Sequence, residues 1–268
     1  IYLELLKKEK KNLNILFNYA NLLKETKRYK EAQGLYKKVI EIDKNFSKAF
    51  LNLGYVNNLI GNKKESIKNL DAAIKINPNY AEAIFYKSII QLELGNYQDG
   101  FKNYEWRFDI KTNRAEKRNF KQQIWNGEDL REKTILLHGE QGLGDQIQFI
   151  RFAKIVEKYS SNIIIEVHND LVQLFKETTN FKNIFGKGDK LPDFDFHCPF
   201  MSLPLKLKVS ADTIPAYKNY LDYNDNRLKK WEIFFKSKKF KIGINWQGSN
   251  NPTFDEGRSF KVSEFKNI

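Results

Sequence analysis

Sulfur and proline are scarce in this sequence: it holds one cysteine, Cys198, one methionine and six prolines in 268 residues. A lone cysteine excludes an internal disulfide and fits a reducing compartment. No run of about 18 apolar residues occurs, so no membrane-spanning helix is expected. The opening Ile1–Leu6 stretch is too short and too mixed in charge for a signal peptide. The chain begins on Ile1 rather than Met, so it reads as cut from a longer protein. A compact basic motif with interleaved stacking aromatics is also lacking. The net charge of +13 therefore reads as a general lysine bias, not as a nucleic-acid surface.

Internal repetition, by contrast, is plain. Leu16, Phe50 and Ile84 are spaced by 34 residues, and the same register aligns Ala20, Gly54 and Ser88, then Ala32, Ser66 and Gly100. Small residues at Gly54 and Ser66 let two antiparallel helices approach closely, and Asn77-Pro78-Asn79 breaks the second helix. This pattern resembles the tetratricopeptide repeat. It implies helical repeats over residues 1–112: a partial repeat at 1–12, then 13–46, 47–80 and 81–112. Such repeats imply a groove for a protein or peptide partner, or a spacer arm. The third departs from the pattern at Lys87 and Arg107, which suggests a junction with the next domain.

The grammar then changes. Residues 113–133 read as a polar linker with a turn at Trp125-Asn126-Gly127. From 134 to 238, short apolar strands alternate with helices, as in a parallel α/β domain. Strands are expected at Thr134–His138, Asn162–Val167, Asn183–Phe185 and Phe194–His197. Helices are expected at Gln146–Lys158 and Leu171–Glu177. Residues 239–268 read as the start of a second α/β unit, opened by a buried strand at Lys241–Trp246 and left incomplete.

The strongest local signal is His138-Gly139-Glu140-Gln141-Gly142-Leu143-Gly144-Asp145, between the first strand and first helix of the α/β domain. Open parallel sheets bind ligands at that edge. Glycines there admit close approach to a ligand, and a helix N-terminus favours anions. The Walker and dinucleotide patterns do not fit, because Asp145-Gln146 and Ile147 stand where they need other residues. From its position alone, Asp145 reads as the N-cap of a helix starting at Gln146.

The fuller string, Glu140 to Asp145 followed by Gln148 to Arg151, resembles bacterial tetratricopeptide proteins fused to a glycosyltransferase domain. These are related in fold to the heptosyltransferases and, more distantly, to O-GlcNAc transferase. Trp125-Asn126-Gly127, His197-Cys198-Pro199 and Gly243-Ile244-Asn245-Trp246 with Gly248 add to the likeness. The resemblance implies the GT-B architecture: helical repeats, then a Rossmann-like acceptor half, then a donor-binding half. It implies transfer of a sugar from a nucleotide sugar to an acceptor hydroxyl, with Asp145 as base. Glu140, Gln141, Gly142, Gly144 and Gln148 would bind the acceptor, and Gly248, Arg258 and Ser259 the donor. The nucleotide sugar is a co-substrate, and no separate cofactor or metal is implied. Asp193-Phe194-Asp195 spells the metal-binding pair of a different glycosyltransferase fold, so it is not assigned to metal. The cytoplasm, where nucleotide sugars are made, is the default location. The other reading left open is a non-catalytic interaction scaffold with a degenerate α/β domain.

Overall fold

The N-terminal helices pair in the expected register: α1 (Tyr2–Lys8), α2 (Leu13–Glu25), α3 (Tyr29–Ile42), α4 (Ser47–Leu59), α5 (Lys63–Ile76), α6 (Ala81–Glu93) and α7 (Tyr97–Tyr104). The computed structural model describes residues 1–110, 115, 117–217, 219–223, 225–232, 234–236, 240–244, 248 and 259–266. Residues Ile1–Asp222 form one compact unit and Tyr223–Ile268 a second.

Each repeat turns between its helices by one device. The backbone is left-handed at Lys27, Gly61 and Gly95, with φ of 61°, 83° and 80°. At each, two amides fold back onto the helix end, as in Asn62 N–H to Asn57 O at 2.8 Å and Gly61 N–H to Asn58 O at 2.9 Å. This closes the orphan carbonyls of the helix C-terminus. Helix contacts are close where the residues are small. A Cβ on Gly54 would lie 2.8 Å from Leu70 Cγ, and the Ser66 hydroxyl donates to Gly54 O at 2.6 Å. Tyr36, Leu53 and Val56 fill the space between the first two repeats.

The second half of the compact unit is a five-stranded parallel sheet. Its strands are β1 (Gln123–Ile124), β2 (Thr134–His138), β3 (Asn162–Val167), β4 (Asn183–Gly186) and β5 (Phe196–Pro199), in the order β1-β5-β2-β3-β4. β2 and β3 are buried along nearly their whole length, which is why they read as continuous apolar runs. Ile135, Leu137, Ile163 and Ile165 join one core with Ile150, Ala153 and Val156 from the helical segment after β2. That segment was expected as one helix over 146–158. It starts three residues earlier, as α8 (Leu143–Phe149), then tightens to a 3-10 turn and resumes as α9 (Ala153–Val156). α10 (Asn169–Thr178) adds Leu171 and Phe175 to the same core.

The structure corrects other expectations. Residues 113–133 are more than a linker: Trp125 and Leu130 are fully buried in the core, and β1 pairs with β5. Gly127 supplies the turn, with φ of 96°. β5 starts at Phe196, so Asp193 and Asp195 precede the strand and share no strand face. After β5 comes α11 (Leu203–Lys206), a single turn.

In the second unit, α12 (Asp225–Glu232) stops before Phe234 and Phe235. The strand expected at Lys241–Trp246 is not formed at 241–244, where Ile242 and Ile244 are exposed; 245–247 lie outside the described residues. A parallel strand needs a neighbour for its ladder, and 223–268 holds none among the described residues.

Candidate functional site

The chain runs from β2 outward through β3 to β4, then returns to place β5 on the other side of β2. The carboxyl ends of β2 and β5 therefore flank the crevice where such sheets usually take ligands. Here that place is filled by the last repeat. Arg107, fully buried, stands in the 3-10 turn after α7. Its Nε and Nη2 donate to the two Glu140 oxygens at 3.1 and 2.6 Å, and Nη2 also donates to Ser202 Oγ at 2.8 Å. Nη1 reaches Glu105 at 2.6 Å, and Ser202 donates to the same carboxylate. Burial works against the Arg107 charge, but Glu140 and Glu105 outweigh it and hold the guanidinium above its ordinary range.

Beside this cluster a cavity of about 120 Å³ opens at the carboxyl ends of β2, β3 and β4. Gly139 N–H donates to Glu166 O at 2.7 Å and Lys187 N–H to Val167 O at 2.8 Å, tying the three strand ends together. Gln146 closes the floor, accepting from His168 N–H at 2.9 Å. Gly139 leaves room for it, because a Cβ there would displace the Gln146 amide.

Arg118 caps the cavity with a two-point contact to buried Glu166 at 2.6 and 3.3 Å. Behind it, His138 Nε2 and His197 Nδ1 lie 3.1 Å apart, with the Phe120 ring edge-on to both imidazoles. Burial, with His197 and Arg118 adding, holds His138 well below the usual histidine range; burial, then Arg118, lowers His197. Both are neutral at pH 7. The cavity thus offers mixed donors and acceptors, with paired rather than excess charge.

Of the expected site residues, Glu140 and Gln141 line this cavity, and the Glu140 carboxylate is committed to Arg107. Burial raises the Glu140 carboxyl, and Arg107 works against that rise. Gly142 is the N-cap of α8, and Asp145 sits at its third position, accepting from Gly142 N–H at 3.0 Å. Asp145 thus caps the helix from within the first turn, not from the position before it. Gly144 and Gln148 are exposed and stand outside the cavity lining; a Cβ on Gly144 would meet open space. In the second unit Gly248 N–H donates to Ser259 Oγ at 2.7 Å, while Arg258 lies outside the described residues. Among the described residues no group of three His, Cys, Asp or Glu gathers as metal ligands. Asp195 instead accepts from Thr134 N–H at 2.8 Å. Cys198 is fully buried, and burial pushes its thiol up, away from nucleophilic use.

Sequence reasoning missed Arg118, Gln146, Glu166, His168 and Lys187. Glu166 carried a signal: a charged residue inside the apolar run Ile163-Ile164-Ile165-Glu166-Val167 demands a partner.

Residues 13–46 and 47–80 match the family model described as Tetratricopeptide repeat. The N-terminal helices are thus a tetratricopeptide array, a class of structure that points to protein–protein interaction. Among curated proteins none matches this chain. Among solved structures, the MamA protein is 25% identical over 41% of this chain, with a TM-score of 0.39, and this chain spans 60% of its length. PilF of Pseudomonas aeruginosa is 22% identical over 39% of this chain and 48% of its own, with a TM-score of 0.37. The Yersinia enterocolitica chaperone SycD, in complex with a peptide of the translocator YopD, is 16% identical over 38% of this chain and 79% of its own, with a TM-score of 0.36. No described helix is long and apolar enough to cross a membrane.

Proposed function

We propose that the repeats hold a protein or peptide partner and that the α/β domain works in glycosyl transfer. In this reading the acceptor sits at the carboxyl edge of the sheet and a nucleotide sugar supplies the donor. The observation that carries it is the loop from Gly139 to Gly142, which leads the central strand β2 into α8 beside the polar cavity. The resemblance of Glu140–Asp145 and Gln148–Arg151 adds the reaction class.

Asp145 takes the acceptor hydroxyl proton, the freed oxygen attacks the anomeric carbon, and the nucleoside diphosphate departs with the bonding pair. One Asp145 oxygen accepts from Gly142 N–H, which orients the carboxylate on the helix end. Gly248, Ser259 and Arg258 serve the donor; the hydrogen bond between the first two supports placing them together.

The test is thermal shift against a panel of UDP-, GDP- and ADP-sugars, followed by turnover with the nucleotide that binds. A ligand at about 100 times its Kd stabilises the fold by about 2.7 kcal/mol. Asp145→Asn, which keeps an oxygen for Gly142, lowers turnover by about 10²–10⁴-fold with the melting temperature held. Unchanged turnover removes Asp145 from the chemistry.

A second reading, the non-catalytic scaffold, is favoured by one observation: Arg107 and Glu105 occupy the crevice between β2 and β5. A folded protein that shifts with none of these sugars supports it.

A further inference from the structure

Each helix pair in a repeat array covers its outer face with the first helix of the next pair. Here α3 packs on α4 and α5 on α6, and α4 and α6 have 13 residues each. Among the described residues no such helix follows α7. Its partner is α11, four residues long. The rest of the slot is open: a groove of about 620 Å³ lies between α7 and residues 204–211. Tyr97 and Phe101, stacked at 6.0 Å between ring centroids, form one wall, and Leu205 and Val209 the other. Lys102 and Lys208 stand exposed at the rim, neither forms an ion pair among the described residues, and none of the lining residues is acidic.

We infer that this groove is a docking site for an amphipathic helix of a partner protein, its apolar face inward and its flanks acidic. The missing first helix of a following repeat sets the shape of the occupant. The two uncompensated lysines set its charge. The site shares no lining residue with the cavity of the α/β domain, and it stands whether or not the chain transfers sugar.

The test is fluorescence anisotropy on the full chain with two labelled helical peptides. Both carry Leu at i, i+3, i+4 and i+7; one carries Glu at its other positions and the other Lys. The acidic peptide binds, and its affinity falls as salt rises. The double variant Lys102→Glu with Lys208→Glu weakens it by roughly ten-fold and gains the basic peptide in exchange. Ala211→Trp, which fills the groove from an exposed position, removes binding with the melting temperature unchanged. Equal binding of both peptides, indifference to these variants, or no binding by the acidic peptide at millimolar concentration overturns the inference. A concentration-dependent dimer that Ala211→Trp abolishes also overturns it, because the groove then belongs to a second copy of this chain.

Discussion

Arg107 and Glu140 meet in a two-point ion pair, at 2.6 and 3.1 Å, although 33 residues separate them and each belongs to a different structural half. The pair joins the last repeat to the loop that leaves the central strand. Breaking a buried pair from one side strands the other charge, which typically costs about 3–5 kcal/mol. Arg107→Met is therefore expected to lower the urea midpoint sharply. Arg107→Met with Glu140→Leu recovers part of the loss, because the second change removes the stranded carboxylate. A single variant as stable as the parent would show that the cluster adds nothing to folding.

The two histidines make stability depend on pH. The folded state holds His138 well below the ordinary histidine value of 6.5, chiefly through burial, and His197 is lowered too. The unfolded chain takes up protons that the folded chain refuses. The stabilisation is therefore present above about pH 6.5 and is lost as pH falls. Burial acts first at both rings, and at His138 the neighbouring His197 and Arg118 lower the proton affinity further. Denaturant titrations at pH 7.5 and 5.5 measure the loss, and His138→Gln is expected to flatten the difference.

Lys27 occupies the left-handed position that Gly61 and Gly95 take in the next two repeats. A side chain there costs about 1–2 kcal/mol, which glycine avoids. Lys27→Gly is expected to raise stability by about 1 kcal/mol, read as a higher urea midpoint. An unchanged or lower midpoint means that the lysine's own contacts outweigh the strain.

Two glycine-to-alanine changes should act in opposite directions. At Gly100 a Cβ would lie 2.7 Å from Leu92 Cδ2 and 3.2 Å from the Leu92 backbone nitrogen, so overpacking costs about 1–3 kcal/mol. At Gly144 the same atom meets nothing within 4 Å, and helix propensity gains up to about 1 kcal/mol. If Gly144→Ala is stable yet loses ligand binding, the glycine serves a ligand that approaches its backbone.

The repeats were legible in the sequence because a 34-residue period states the same packing three times over. The family model for the tetratricopeptide repeat matches within the same stretch. Arg107 stood out as a departure, but its partner did not, since pairing across the two halves is a tertiary event with no local pattern. The β2 and β3 strands were plain as apolar runs. β1 was hidden because it has two residues, both exposed, and the residues that reach the core, Trp125 and Leu130, stand isolated after it. Of the site, the glycine-rich loop could be read directly. The cavity beside it could not, because Arg118, Glu166 and Lys187 converge from three separate stretches of chain.

Cys198 lies in β5, between β1 and β2, opposite Leu137, with no exposed surface. A thiol reagent reaches it only when β5 parts from its neighbours, so the folded chain is inert to alkylation while the opened chain is not. As the sole sulfhydryl, it is a built-in clock: its labelling rate counts how often the sheet comes apart, without any engineered probe.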